Sequence, residues 1–356
     1  MNSNEIASQP IGFLGKMQNA YNKFKAFFVR HPIATLGVLA VLMLVFAAIY
    51  AFWGLEFWAM YAHEVQAHLL IRLFPILAVL VVAVAIGYST VTFQTVATAK
   101  ILTPGVLGFE NIYMFIQTLI LLLSTQYGRD DVFLGSTSNF ILSVGLMLGV
   151  SMVIFLPLLL GGSKHIFKLL LFGMIVSTFF ASLTTYMQFN INPEHFQLLQ
   201  GMMFASFENS NTNLLIASAA IVGGVLLLTP RMSTLDVMSL GRENAVNLGV
   251  SHKWQSARIL VICAILTAVS TALVGPLMFL GLLAANLSYQ MLKTYKHKYT
   301  IPAAILISAV ALFAGRVVVQ HVFRNVSVTV NVPVLINLIG GIYFIFLLFR
   351  ERKKEK

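Results

Sequence analysis

Charge is what this sequence has least of. Of its 356 residues, 10% are Asp, Glu, Lys or Arg, against about 25% in an average soluble domain. So few charges cannot cover a water-soluble fold of this size. A single cysteine, Cys263, excludes an intramolecular disulfide, and its place in an apolar run marks it as packing. Short segments of alternating polar and apolar residues are missing, which excludes a transmembrane β-barrel. Motifs of bond-making chemistry are missing too. Gly161-Gly162-Ser163-Lys164 lacks the first glycine of a phosphate-binding loop. His63 and His68 lie five apart, which turns the second about 140° away from the first, so they share no zinc-binding helix face. No nucleophile stands near a base, and no carboxylates pair within an apolar segment.

Apolar residues make up 58% of the chain. They come in blocks of about 20, the length that crosses a hydrocarbon core of about 30 Å. Ten such blocks read as spans: 33–53, 73–93, 105–124, 138–160, 166–188, 213–230, 257–273, 276–292, 301–322 and 332–349. The fold class is therefore all-α, a polytopic membrane protein of about ten transmembrane helices. Pro104, Gly275, Pro276 and Pro333 interrupt spans, which is tolerated where protein rather than lipid surrounds the backbone.

The net charge of +11 fits basic cytoplasmic loops better than a nucleic-acid partner. With the N-terminus inside, ten spans place all 23 basic residues on the cytoplasmic side except Arg72, Arg129, Arg316 and Arg324. Both termini are expected in the cytoplasm, and the chain in the cytoplasmic (inner) membrane. Residues 1–31 read as an amphipathic segment on the membrane face, 32–350 as the ten-helix domain and 351–356 as a basic tail.

Ionisable groups at membrane depth mark ion or proton pathways. Glu110 and Arg316 lie near span ends and are expected to reach an interface, which argues against proton-coupled transport. The outer connection 189–212 is expected to hold a short helix over Phe196–Phe207. The inner connection 231–256 reads as a structured two-helix loop. In it Ser239 caps a short helix that Gly249 ends, with Leu240, Ala245 and Leu248 on the apolar side. Such a loop suggests a docking partner.

Several stretches, in order, carry a family resemblance. Arg72-Leu73-Phe74-Pro75-Ile76-Leu77-Ala78, with Gln94 following at the family's distance, resembles the second helix of the permease subunits of ABC importers for iron–siderophore complexes and cobalamin, the FecCD type. Leu102-Thr103-Pro104-Gly105-Val106-Leu107-Gly108 is similar to the next family stretch, and Leu240-Gly241-Arg242-Glu243-Asn244-Ala245-Val246-Asn247-Leu248-Gly249 to its cytoplasmic coupling segment. Gly275-Pro276-Leu277-Met278-Phe279-Leu280-Gly281 and Leu338-Ile339-Gly340-Gly341 resemble two later ones. The resemblance spans residues 60 to 350. The chain departs from the family at Pro75, at Ala99-Lys100 (Asn-Pro in the family), at Ala285-Asn286 (Pro-His) and at Thr329–Pro333. These departures resemble the divergent branch that carries ferric siderophores, often catecholates.

The resemblance implies the type II ABC importer permease fold. It implies a transport subunit rather than an enzyme, holding no metal or cofactor of its own. ATP and magnesium would belong to two cytoplasmic ATPase subunits. Further implied partners are a second permease subunit (a related, different chain), an external or periplasmic siderophore-binding protein and membrane lipid. Leu240, Gly241, Arg242, Glu243, Ala245, Leu248 and Gly249 would couple to an ATPase, and Arg72 and Arg324 would dock the binding protein. Gln94, Pro104, Gly105, Gly275, Pro276 and Gly281 would belong to the translocation path and its helix breaks. Import of haem or cobalamin by the same fold, and a stand-alone secondary transporter, stand as alternatives.

Overall fold

A computed structural model of the chain describes residues 31–52, 62–100, 102–127, 136–160, 166–203, 207, 212–322 and 331–352. Residues 1–30 of the amphipathic segment, tail residues 353–356, Arg324 and the loop charges Glu56, Arg129, Asp130, Asp131 and Glu208 lie outside the described residues.

Thirteen α-helices and one 3-10 turn account for the described secondary structure. In order they are α1 (Pro32–Phe52), α2 (Ala62–Ala97), α3 (Phe109–Tyr127), α4 (Ser136–Leu160), α5 (Ile166–Gln188), α6 (Pro193–Met203), α7 (Thr212–Leu227), α8 (Met232–Met238), α9 (Arg242–Asn247), α10 (His252–Val274), α11 (Met278–Leu292), α12 (His297–Val322) and α13 (Val332–Arg352). Ten of these stand on the ten expected spans; α6, α8 and α9 are the short connectors. Among the described residues, segments of α1, α2, α4, α10 and α12 are each long and apolar enough to cross a membrane unaided. Apolar stretches of α3, α11 and α13 are shorter.

The edges differ from expectation where Pro and Gly intervene. The third span opens on the 3-10 turn Pro104–Leu107, and α3 starts only at Phe109. Pro104 supplies no amide hydrogen, and Gly108 takes φ 88°, so no continuous helix crosses them. The link from α10 to α11 is extended because Gly275, at φ 90°, is followed by Pro276. The connector helix α6 begins at Pro193 rather than Phe196, with proline at the first helical position, where its missing N–H costs nothing.

The core forms around α2 and α10. With 36 residues, α2 is about 54 Å long, more than the hydrocarbon needs. It packs against α12, α10, α11, α7 and α1. Ala78, Val79, Val82, Ala83, Ala85 and Ile86 bury one broad face, and the consecutive residues Tyr88 to Phe93 are all buried, so the second half needs no amphipathic stripe. Its hydroxyls fold back onto its own carbonyls, Thr92 to Tyr88 O at 2.8 Å and Thr95 to Val91 O at 2.9 Å, which satisfies them away from water. Cys263 of α10 is buried beside them, its Sγ 3.3 Å from Ser89 O. At the periphery α1 turns Val41, Leu44 and Val45 outward, as a lipid-facing helix does.

Apolar side chains gain little by leaving lipid for protein, so close contact must supply the attraction between spans. Among the described glycines, the closest approach to another span's backbone is at Gly87 on α2. A Cβ placed there would lie 2.8 Å from the Ile305 backbone of α12. Gly87→Val should therefore force α2 and α12 apart at a cost of about 1–3 kcal/mol. A clear fall in the melting temperature of the detergent-purified protein is expected, with Gly223→Ala, whose site is open, unchanged.

Candidate functional site

The coupling elbow is built from α8, α9 and the turns that join them to α7 and α10. It leaves the end of α7 at a bend of 69° to α8. Two glycines in left-handed backbone conformation set its corners, Gly241 at φ 89° before α9 and Gly249 at φ 82° after it. Gly249 ends the helix as its sequence position indicates. Ser239 does not begin one. It closes α8, its hydroxyl donating back to Asp236 O at 2.6 Å, because the chain is already helical from Met232. Leu235, Met238 and Ala245 are fully buried and anchor the elbow to the bundle. Leu240, Val246, Leu248 and Trp254 are each more than half exposed. The expected apolar side therefore divides: Ala245 packs inward, while the two leucines remain uncovered.

A polar tie joins this elbow to two membrane helices. Asp236 Oδ1 on α8 accepts from the His297 backbone N–H at 2.8 Å and from His297 Nδ1 at 2.6 Å. His297 is the first residue of α12, so Asp236 serves as a helix cap supplied from another element. On the far side of the ring, His297 Nε2 lies 2.7 Å from Thr95 Oγ1 on α2. Among the described residues this is the one histidine–carboxylate contact at ion-pair distance. Sequence spacing gives no sign of it, because Asp236 and His297 are 61 residues apart and each reads alone as a solvated loop charge.

The helix breaks gather elsewhere. Pro104, Gly105 and Gly281 line one small cavity of about 30 Å³ together with Glu110, Thr103 and Thr271. Gly281 is glycine because a Cβ there would collide with Thr90 Oγ1. Gly275 and Pro276 lie on the link into Leu277, which also lines the cavity. Gln94 lies apart from it, at the end of α2, where its Nε2 donates to Lys100 O at 2.7 Å. Asn286 of α11 donates to the same carbonyl at 3.3 Å. Two of the chain's departures from the family pattern, Ala99-Lys100 and Ala285-Asn286, thus meet in space.

Arg316 does not reach an interface. It is 3% exposed, donates from Nη2 to Tyr50 Oη at 2.6 Å and stacks 4.6 Å from the Tyr50 ring and 5.2 Å from Phe207. The cover comes from α1, 266 residues earlier, so no local pattern announces it. Glu110 likewise faces the small cavity rather than an interface. Arg72 is half-buried, and its Nη1 donates to Tyr50 O at 2.8 Å and Ala51 O at 3.1 Å at the end of α1. Among the described residues no three His, Cys, Asp or Glu side chains converge to hold a metal ion.

Removing the cap tests the tie. A hydrogen bond to a charged group is worth about 1.5–3 kcal/mol. Asp236→Ala should raise hydrogen exchange at the His297 amide roughly tenfold or more, and Asp236→Asn, which keeps an acceptor, by less.

The family model described as the FecCD transport family matches residues 33–350. The chain is 44% identical over 284 residues to petrobactin import system permease protein YclO of Bacillus subtilis (strain 168), covering 79% of this chain and 88% of that one. It is 34% identical over 283 residues to petrobactin import system permease protein FatC of Bacillus anthracis, covering 79% and 78%. A solved metal-chelate type ABC transporter in an inward-facing conformation superposes with a TM-score of 0.69 at 23% identity, over 88% of this chain and 98% of that one. Its fold is the ABC importer permease fold that the helix order of this chain reproduces. A match along 33–350, joined to ten helices on the expected spans, places the chain in the FecCD transport family, as a membrane permease.

Proposed function

We propose that this chain is one of two permease subunits of an ATP-driven importer that carries a ferric siderophore across the cytoplasmic membrane, petrobactin being the first candidate. The observation that carries the reading is the elbow: a structured loop, anchored by Ala245 and Leu235, that leaves Leu240, Val246, Leu248 and Trp254 uncovered. Clustered exposed apolar residues beyond the ends of membrane helices are costly unless a partner covers them. The relatives' printed names support the cargo.

In this reading the elbow lies in the cytoplasm, docked on an ATPase subunit that holds ATP and magnesium. Leu240, Gly241, Arg242, Glu243, Ala245, Leu248 and Gly249 form the contact. A shift of α8 pulls on Asp236, and Asp236 pulls on the first turn of α12 and, through His297, on Thr95 of α2. Packed cores respond to such a pull as rigid bodies, so α2 and α12 rock together rather than bend. The bundle then opens alternately to either side. Around the small cavity, Pro104, Gly105, Gly275, Pro276 and Gly281 supply irregular backbone that allows α3 and α11 to tilt. The loaded binding protein docks at the opposite end, where Arg72 lies, with Arg324 as its second contact. A second, related permease completes the path.

The double variant Leu240→Asp/Leu248→Asp separates docking from folding, since both side chains are exposed. Its melting temperature should match the parent. Co-purification of the ATPase subunit and uptake of radiolabelled ferric petrobactin should both fall at least tenfold. Full uptake by the double variant would remove the elbow from the coupling path. Full coupling with uptake of haem or cobalamin in place of petrobactin would reassign the cargo.

A further inference from the structure

At the end of the bundle that carries the elbow, a second and much larger cavity opens. It is a cleft of about 530 Å³ between the end of α2, the end of α11 and the start of α12. Lys100, Lys293, Tyr289, Tyr295, Thr98 and Thr300 are on its wall, and no lining residue is acidic. We propose that this cleft binds a phosphate-bearing anion, held between Lys100 and Lys293 with hydroxyl groups beneath. This inference stands apart from the identity of the cargo, although Thr95, Ser239 and His297 of the elbow and its tie also line the cleft.

Three observations converge on a built site. The first is the positioning of Lys100. Its carbonyl accepts from two buried side-chain amides, Gln94 Nε2 at 2.7 Å and Asn286 Nδ2 at 3.3 Å, which are 4% and 6% exposed. Two buried amides on one carbonyl fix the backbone of Lys100 at the cleft. Its ammonium lies 5.5 Å from the centre of the Tyr289 ring and 5.7 Å from that of Tyr295. The second is the course of the backbone. Among the described residues, the two non-glycine residues at positive φ are Thr98, at 50°, and Lys293, at 44°. Both line this cleft, one on either side. Lys293 is the left-handed cap that ends α11 and Thr98 follows the last residue of α2, so two helix ends turn at the cleft wall. The third is charge. Among the described residues neither lysine meets a carboxylate at ion-pair distance. Asp236, beside the cleft, is turned onto His297 of its wall.

The groups present define the ligand class. Two ammonium groups favour an anion, and threonine and tyrosine side chains on the wall add polar surface. A phosphate ester offers several acceptor oxygens on a compact centre. The cleft lies level with the ends of spanning helices, where lipid headgroups lie, and basic pockets between spanning helices there suit anionic headgroups. Two sources share the chemistry: the headgroup of an anionic lipid such as phosphatidylglycerol, and free phosphate.

The full-length protein, purified in neutral detergent, distinguishes them by its melting temperature. Short-chain phosphatidylglycerol, short-chain phosphatidylcholine and inorganic phosphate are each titrated against the wild type, Lys100→Ala/Lys293→Ala and Lys100→Arg/Lys293→Arg. Phosphatidylglycerol should raise the melting temperature of the wild type, phosphatidylcholine should not, and the alanine pair should weaken the apparent affinity roughly tenfold or more. The arginine pair should keep it. A response to phosphate alone, lost in the alanine pair, also supports the site and assigns the soluble source. If neither anion shifts the wild type, or the shift survives in the alanine pair, the lysines merely cap two helix ends and the proposal fails. It fails equally if the alanine pair sheds the ATPase subunit while leaving the anion response intact, which would make the cleft a protein contact.

Discussion

The contact between α2 and α12 at Gly87 decides how the other parts of this bundle can be arranged. Backbone meets backbone there, with no side chain between. Helices that close cannot slide or splay independently, since interior packing has no slack to absorb it. The two members of the pair are also the two that the elbow holds, α12 through its first amide and α2 through Thr95. A movement of a seven-residue helix can therefore reach both spans as one body. Without the close approach, the polar tie would move a single helix end, and little of the motion would reach the far side.

Charge is scarce, and several of the charged groups tie helices to one another. Among the described residues the elbow carries the sole histidine–carboxylate pair, where one carboxylate serves a helix start and an imidazole together. At the other end of the spans, Arg72 and Arg316 both close on Tyr50, which is 2% exposed. A buried guanidinium in such a helix is costly unless its N–H groups find oxygens and rings. Here they find a phenol, two aromatic faces and, for Arg72, two carbonyls at the end of α1. α1 packs mostly against α12 along its length, and these contacts hold its last turn.

Much of the fold was legible because a membrane imposes one rule on every span: about 20 apolar residues with their backbone groups satisfied internally. That rule reads from local composition, so ten spans landed on ten helices. Boundaries were misread where a proline or a positive φ decides, as at Phe109 after Gly108, or at Ser239, which looks like a cap but follows a helix already formed from Met232. The elbow as an element was legible from Gly241, Ala245 and Gly249. Its tie was not, since a pairing of Asp236 with His297 depends on how three helices meet. Arg316 was misjudged for the same reason, because position along a helix says nothing of a tyrosine arriving from another. Gly105 and Gly281 carried a signal as breaks, but their meeting around one cavity with Glu110 appears only in three dimensions.

Cys263 has a consequence of a different kind. It is the sole thiol of the chain and is 1% exposed, sealed beneath Ser89 and Thr92 in the middle of the bundle. A maleimide dye cannot meet it while α2 and α10 stay together, so the native molecule is already a silent background for site-directed labels. Cysteines introduced in pairs on the elbow and at the opposite end can report distances between them without removal of the native one. Labelling of the unmodified chain becomes a direct clock for the parting of its two innermost helices.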